Sequence, residues 1–544
     1  MENRADTLIL GNIITMDDKK PTAQAVTVLD GKIQYVGSRE TAKTLCDKNT
    51  KVLDYGDSYV YPGFLEAHAH GLMAGWREMG QIDLSAGKSY EDYQRILRNY
   101  IKKHPGHRYY FGAGWQVVDD VSPTKALIDK VCADVPIALN SLDGHSMLFN
   151  QACIDAFHAT KEIAQQFKPG EIEVDENGEL TGLMHETPTL LVLSIIPLTL
   201  EEVKQFTLGW QQFAFSLGIV GASEAGLQSL VAHTDQAYLE LAKEGKLKIR
   251  TYSYRDISEH TTDPKADVEK IADFAAKNNS EYFKTVGIKV FNDGVVEAHT
   301  AWLDKDYEDR PGYHGVERHN DHQKMVTILT TANKYGLAVH SHSIGSGAIK
   351  FQLDAIEDAE SQTGNMDQRN CIAHLQVVRD DDIKRLGDLD VVAIVPPLWC
   401  PKYEADYKVD VDALGVKDAD KEYPIKSFQD AGAVITFHSD YPVSPNISVP
   451  NSLYTAITRK GPGLGSESVR GIKEAASKKD ALLAMTKNVA YLWHEEDRMG
   501  SLEVGKLANM AVFDTDFLNG DVETFPEAKV VATIVDGDVV YQGK

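Results

Sequence analysis

The sequence predicts an α/β protein built around a (β/α)8 barrel, or TIM barrel. Short apolar segments typical of buried strands recur eight times, with helical segments between them. Several of these segments end in histidine, lysine or aspartate, at the carboxyl ends where TIM barrels place their functional side chains. The main alternative, a doubly wound sheet, is disfavoured because no Gly-x-Gly-x-x-Gly motif follows an early strand. The predicted strands lie near residues 64–68, 219–225, 247–254, 286–292, 337–342, 371–376, 391–395 and 433–439.

The two ends of the chain carry the same hairpin pattern. Asp30-Gly31 separates two β-rich segments at 25–29 and 32–36, and Asp536-Gly537 does so near the C-terminus. Asp-Gly between such segments is a strong signal for a two-residue hairpin turn. Neither end is long enough to bury a core alone. We therefore expect residues 1–61 and 498–544 to form one small β-sandwich domain, with the barrel over 62–497.

The helix predicted over 199–217 illustrates the segments between strands. Thr199 and Glu202 have the spacing of a capping box, apolar residues recur on one face, and Gly218 follows as a stop signal. The stretch from about 75 to 215 is too long for one barrel crossover. We expect an insertion there, after the first barrel strand, with a helix over 89–101.

Composition excludes some classes of function. The 544 residues carry 56 Lys and Arg against 81 Asp and Glu, a net charge of −25, which argues against a nucleic-acid partner. The longest apolar run, 190–200, contains Pro197 and is shorter than the roughly 20 residues that span a bilayer. The five cysteines form no Cys-x-x-Cys motif, and the N-terminus has no signal-peptide pattern. We expect a cytoplasmic protein with no membrane partner.

The first predicted barrel strand ends in His68-Ala69-His70. Residues i and i+2 of a strand point to the same side, so the two imidazoles can converge on one ion. A His-x-His pair taken alone is equally consistent with surface or packing histidines. The ends of the other strands decide between these interpretations.

Four more strands end in groups suited to metal binding. Lys289 lies on the fourth strand, and burying it would be costly unless it is paired, for example with Asp293, or neutralised. The fifth, sixth and eighth strands end at His342, His374 and Asp440. Imidazole and carboxylate ligands around an open coordination position are typical of a hydrolytic metal site.

These motifs resemble the metal-dependent amidohydrolase superfamily. The resemblance begins with the string Pro-Gly-Phe-x-x-x-His-x-His and continues through the lysine, histidines and aspartate in this strand order. Further strings are similar to its amidohydrolase-3 branch, which includes YtcJ-like proteins and N-substituted formamide deformylases. They are Gly112-Ala113-Gly114-Trp115, Asp143-Gly144-His145-Ser146, Asp293-Gly294 with Thr300-Ala301, His342-Ser343-Ile344-Gly345, and Gly500-Ser501-Leu502-Glu503-Val504-Gly505.

The resemblance implies a ligand set. His68 and His70 would hold a first metal ion together with Asp440. His342 and His374 would hold a second, and Lys289, carboxylated by CO2 to a carbamate, would bridge both. Two zinc ions per chain are the expected cofactors.

The resemblance also implies an activity on a small-molecule substrate. A metal-activated hydroxide would hydrolyse a C–N bond in an amide, an N-formyl amine or a cyclic amide, with Asp440 as general base and then acid. His145 is a candidate donor to the substrate oxyanion, with a structural role as the alternative. Trp115, Asp143 and His299 are the candidate substrate-binding residues. A homodimer is expected from the family alone.

Several positions depart from the family pattern. Glu66 stands where relatives often have Asp, and Ser346 stands where they have an acid. Ala373 replaces a common Glu, and His299 replaces a common Arg. All six predicted ligands are intact. The changes therefore weaken the inference of a substrate from the family more than the inference of its catalytic chemistry.

Two other functions remain as alternatives. A mononuclear deaminase of a nitrogen heterocycle would usually lack the lysine and carry His-x-x-Glu on strand five, where this chain has Gly345 after His342. A non-catalytic scaffold related to dihydropyrimidinase-like proteins would tend to have lost metal ligands.

Overall fold

A computed structural model describes residues 4–119, 121–142, 146–156, 171–185, 198–226, 231–364, 367–444 and 446–543. The chain divides into two compact units. The first unit comprises Met1–Gly71, Gln211–Leu227 and Tyr238–Lys544, and the second Leu72–Trp210 and Gln228–Ala237. The predicted insertion at about 75–215 falls largely on the second unit. Among the described residues, no helix is both long and apolar enough to cross a membrane.

The first unit contains a seven-stranded sheet made from both chain ends. A strand from the C-terminal part, Met510–Phe513, pairs antiparallel with Lys51–Pro62 from the N-terminal part. Both predicted Asp-Gly turns form, with Asp30 and Asp536 at positive φ like the glycines that follow them. The strands, in sheet order, are Asp538–Gln542, Val530–Val535, Met510–Phe513, Lys51–Pro62, Thr7–Ile14, Thr22–Leu29 and Lys32–Gly37.

The same unit contains the eight-stranded barrel sheet, and the predicted fold class is confirmed. Its strands are Phe64–Ala69, Ile219–Ala225, Arg250–Asp256, Phe283–Phe291, Ala338–Ser343, Cys371–His374, Val392–Val395 and Ile435–Phe437. Every ladder between neighbours is parallel. The third strand starts later than predicted because the amide of Leu247 still donates to the carbonyl of Leu241, in the preceding helix.

Helices of varied length connect and flank these strands. Thr199 caps Leu200–Ser216 as predicted, since its hydroxyl accepts from the Glu202 amide and the Glu202 carboxylate accepts from the Thr199 amide. The other α-helices are Arg39–Thr44, Gly71–Gly80, Tyr90–Lys103, Lys125–Asp129, Gln151–Ala156, Thr234–Lys243, Pro264–Asn278, His322–Lys334, Ser346–Thr363, Asp380–Asp388, Glu404–Leu414, Val416–Ala419, Ile425–Asp430, Val449–Thr458, Lys478–Ala484 and Lys487–Leu492. Short 3-10 helices span Pro397–Trp399, Ser466–Ser468, Ile472–Glu474 and Val522–Glu527.

The second unit has a sheet of its own, which the sequence does not predict. The helix expected over 89–101 is present as Tyr90–Lys103, and it buries Tyr93 and Leu97. The sheet is mixed, with parallel pairs on one side and antiparallel pairs on the other. Its strands, in sheet order, are Ile172–Val174, Leu180–His185, Ser146–Phe149, Ile137–Ser141, Tyr110–Trp115 and Gln81–Asp83.

Candidate active site

The ends of the first and eighth barrel strands bring together two imidazoles and a carboxylate. The Nε2 atoms of His68 and His70 lie 3.1 and 3.3 Å from Oδ1 of Asp440. All three side chains are buried, and their donor atoms lie within 4.8 Å of one another. The three residues therefore form a group that could hold one cation.

Asp440 is held in this position by its backbone. Its φ of 57° is in the left-handed region, which non-glycine residues adopt at some energetic cost, and its amide donates to the carbonyl of His68. Burial alone would raise the pKa of Asp440, but the hydrogen bond from His70 and the surrounding imidazoles hold it well below its usual range. Asp440 is therefore ionised in the folded protein.

His342 and His374 lie on the fifth and sixth barrel strands, with ring centroids 4.5 Å apart. Nδ1 of His342 donates to Oδ1 of Asp293 at 3.1 Å, which leaves its Nε2 for a ligand. The Asp293 carboxylate also accepts from the amides of Ile344, Gly345 and Trp302. The orientation of His342 is thus fixed by a fully hydrogen-bonded carboxylate, as is common for metal-binding histidines.

His374 is fixed by stacking. Its ring lies parallel to that of Trp399, at a centroid distance of 5.5 Å. Both of its ring nitrogens are buried and have no hydrogen-bond partner. A neutral imidazole in this state has a nitrogen available to bind an ion.

Lys289 is fully buried on the fourth strand. Its Nζ has no hydrogen-bond partner, so the ion pair with Asp293 considered from the sequence does not form. Burial lowers the pKa of Lys289 to about 7, although the negative charge of Asp440 opposes this shift. A Cβ on Gly226 would lie 2.9 Å from Cγ of Lys289, so a glycine is needed beside this side chain. Near neutral pH, a large fraction of Lys289 is an uncharged amine.

Two further histidines, to which the sequence patterns assign no role, belong to the cluster. Nε2 of His340 lies 2.9 Å from Nδ1 of His68. The ring of His438 lies 5.0 Å from those of both His68 and His374. Both residues precede a predicted ligand by two positions, as His68 precedes His70. That repeated spacing was the signal that could have found them.

Glu66 connects the first and eighth barrel strands, which carry His68, His70 and Asp440. Its Oε1 accepts from the amides of His68 and Ser439, both at 3.1 Å. Burial raises the pKa of Glu66 to about 8, against the effect of these hydrogen bonds. Glu66 therefore holds the ends of the first and eighth strands together at the site through these two hydrogen bonds.

The remaining candidates are not brought into this cluster by any described contact. Asp143 and His145 lie outside the described residues. Nε1 of Trp115 donates to the carbonyl of Leu139 within the second unit. Nε2 of His299 pairs with the Asp309 carboxylate at 2.9 Å. In this conformation those two nitrogens are already engaged, and the substrate-binding roles stay predictions.

The chemistry of the cluster fits a divalent cation. Buried nitrogens of His70, His374 and His438, and Nζ of Lys289, have no hydrogen-bond partner. Each such group costs about 1–3 kcal/mol when left unsatisfied. Imidazole nitrogen and carboxylate oxygen are the donors that zinc and related ions prefer. Binding of cations would offset this cost.

Comparison with known proteins identifies the family. The profile of the Amidohydrolase family matches residues 51–541. The chain belongs to this family. It is a hydrolytic enzyme, and the alternative of a non-catalytic scaffold is not supported.

Three similar proteins span nearly the whole chain. The putative amidohydrolase YtcJ of Bacillus subtilis (strain 168) is 24% identical, over 98% of this chain and 98% of its own. The N-substituted formamide deformylase of Arthrobacter pascens is 22% identical, over 100% of this chain and 99% of its own. The crystal structure of an uncharacterized metal-dependent hydrolase from Pyrococcus horikoshii OT3 has a TM-score of 0.78 at 23% identity, covering 95% and 99% of the two chains. This last likeness shows that the fold is shared.

Proposed function

We propose that this amidohydrolase uses two divalent cations, zinc in the first instance, to hydrolyse a C–N bond in an amide, an N-formyl amine or a cyclic amide. The observation that carries the proposal is the contact of Asp440 with both imidazoles of the His68–His70 pair, beside the ring nitrogens of His374, which have no hydrogen-bond partner. The similarity to a formamide deformylase supports N-formyl amines as the first class to test.

Two sets of side chains would hold the ions. His68, His70 and Asp440 would bind one, and His342 and His374 the other. When bound, such ions lower the pKa of water and polarise a carbonyl oxygen. The protein's part is to keep these donors oriented, as Asp293 does for His342.

Lys289 would complete the centre as a carbamate. Its uncharged amine can attack CO2, which forms an N–C bond and releases a proton. The product is an anion, and an anionic ligand suits a position between two cations better than a buried ammonium does. The lowered pKa of Lys289 supports this step because it makes the reactive amine available near pH 7.

Asp440 would move the proton in the reaction. Its ionised carboxylate would accept a proton from the attacking water and return it to the leaving nitrogen as the C–N bond breaks. The low pKa of Asp440 means that its carboxylate is ionised, and so able to accept a proton, at the start of the reaction.

A mononuclear deaminase is the second candidate. His68, His70 and Asp440 already converge as three donors, which would be enough for one ion. The buried amine of Lys289 favours the binuclear centre, since a single ion would leave it without a partner.

The test is turnover on a panel of N-formyl amines, N-acyl amines, cyclic amides and amino-substituted heterocycles. We expect release of the amine from at least one amide, loss of activity after chelation, and recovery when zinc is added. Release of ammonia from heterocycles alone would favour the deaminase. No turnover by metal-loaded protein on any amide would contradict the proposal. A homodimer and a cytoplasmic location stay predictions.

A further inference from the structure

A pair of histidines connects the first and fifth barrel strands at this site. His340 lies on the fifth barrel strand, and its Nε2 is 2.9 Å from Nδ1 of His68. Both side chains are buried. The two rings meet edge to face, with centroids 4.8 Å apart. At this distance the two nitrogens share one hydrogen, so one ring donates and the other accepts.

The other nitrogen of His68 decides which ring donates. Nε2 of His68 faces Oδ1 of Asp440 at 3.1 Å, where the proposed ion would bind. A neutral imidazole that binds an ion through Nε2 carries its hydrogen on Nδ1. His68 then donates to His340, and the hydrogen of neutral His340 lies on its own Nδ1. The reverse arrangement would place a hydrogen on Nε2 of His68 and block the ion.

We propose that His340 is a positioning residue that holds His68 in its metal-binding tautomer and orientation. The inference rests on the proposed metal-dependent function. His340 does for His68 what Asp293 does for His342 on the other side of the centre. The difference is that the acceptor for His68 is a neutral ring nitrogen rather than a carboxylate.

A packing role is the competing explanation for His340. Its ring also contacts that of Tyr254, with centroids 4.6 Å apart, and it lies opposite Lys289 in the sheet register. A substitution that keeps the bulk but loses the acceptor separates the two roles. Gln places its amide oxygen near the position of Nε2, whereas Asn is one methylene shorter and leaves the acceptor out of reach.

The experiment measures the affinity of the full-length protein for Zn²⁺ and Co²⁺ by competition with a chromophoric chelator. The variants are His340→Gln, His340→Asn and His340→Leu, and the control is His260→Leu at an exposed site. We expect Asn and Leu to weaken binding by about 10- to 100-fold. We expect Gln and the control to stay within about 3-fold of wild type, and Co²⁺-loaded Gln protein to keep the wild-type visible spectrum.

Other outcomes overturn the inference. Wild-type affinity in the Asn variant would show that the acceptor is not needed. Equal losses with Gln and Asn would show a packing role. If the Leu variant does not fold, the comparison of the Gln and Asn variants still separates the acceptor role from the packing role, because both of these side chains are polar amides. Wild-type protein that binds neither ion would instead contradict the proposed function, and this inference with it.

Discussion

Asp440 touches both imidazoles of the His68–His70 pair, so in the proposed site its charge would serve both ion binding and proton transfer. Asn keeps Oδ1 as an uncharged oxygen that can bind an ion, but it cannot accept a proton from water. We expect Asp440→Asn to retain bound metal and to lose about 10²- to 10⁴-fold in kcat. Turnover and metal content measured on the same sample check this, with the exposed Asp381→Asn as control. Wild-type turnover in a metal-loaded Asp440→Asn protein would remove Asp440 from the mechanism.

Lys289 makes the stability of the metal-free protein depend on pH. Its folded pKa of about 7 lies below its ordinary value of 10.5, so between these values the unfolded chain binds more protons. The free energy of unfolding therefore rises with pH across this window, by up to about 1.4 kcal/mol per unit from this group. A Lys289→Met variant lacks this contribution.

We therefore expect the stability advantage of Lys289→Met over wild type to shrink from pH 7 to pH 9. Urea unfolding in metal-free, CO2-free buffer measures it, with the exposed Lys277→Met as control. A difference that does not change with pH would mean that Lys289 is charged in the folded protein.

Sequence patterns identify the predicted ligand residues but not the side chains that contact them. The six predicted ligands stand out because each lies at or near the end of an apolar strand. They are His68, His70, Lys289, His342, His374 and Asp440. The roles of Glu66 and His340 depend on hydrogen bonds between strands that are far apart in the chain. The repeated i, i+2 spacing places His340 near the cluster, but no local pattern shows which distant residue its side chain contacts.

At the scale of elements, Glu66 reinforces the connection between the eighth and first barrel strands. Among the described residues, these strands share no registered ladder. The amides of Asp440 and His70 donate to the carbonyls of His68 and Tyr441, and the carboxylate of Glu66 accepts from the amides of His68 and Ser439. Burial raises the pKa of Glu66 to about 8, so the side chain is largely neutral at pH 7, and Gln should mimic it.

We expect Glu66→Ala to lower the free energy of unfolding by about 1–3 kcal/mol, since it leaves buried amides without an acceptor. Glu66→Gln should stay close to wild type. Thermal unfolding and Zn²⁺ affinity, measured on both variants, check this. Equal effects of Ala and Gln would show that the bridge does not hold the two strands.

Elements were predictable where their pattern was long or repeated. The eight barrel strands and both Asp-Gly hairpins combine apolar runs with turn signals, and the structure contains them all. The sheet of the second unit escaped prediction because several of its strands are very short. Gln81–Asp83 and Ile172–Val174 have three residues each, too few to show alternation.

At the scale of the whole molecule, a buried arginine ties the terminal sheet to the barrel within the first unit. Arg250 begins the third barrel strand, and its guanidinium donates to Glu281 and to Asp536 in the C-terminal hairpin turn. The Tyr282 hydroxyl donates to the same aspartate at 2.6 Å. Sequence alone could pair the chain ends but could not show which residues join them to the barrel.

We expect Asp536→Asn to destabilise the protein by about 1–3 kcal/mol, because it removes the charge that partners a buried guanidinium. Asp538→Asn, at an exposed position of the same hairpin, should have little effect. Thermal unfolding of the two variants compares them directly. Equal Tm values for both would show that the Arg250–Asp536 contact contributes little.

We propose that Lys289, as a carbamate, would help to hold two ions, and the most direct test is metal content by plasma mass spectrometry. The protein would be purified without chelator, beside Lys289→Ala and a Lys277→Ala control. We predict about two ions per chain in the wild type and the control, and one or none in Lys289→Ala. Equal metal content in all three proteins, or no metal in any, would contradict the claim.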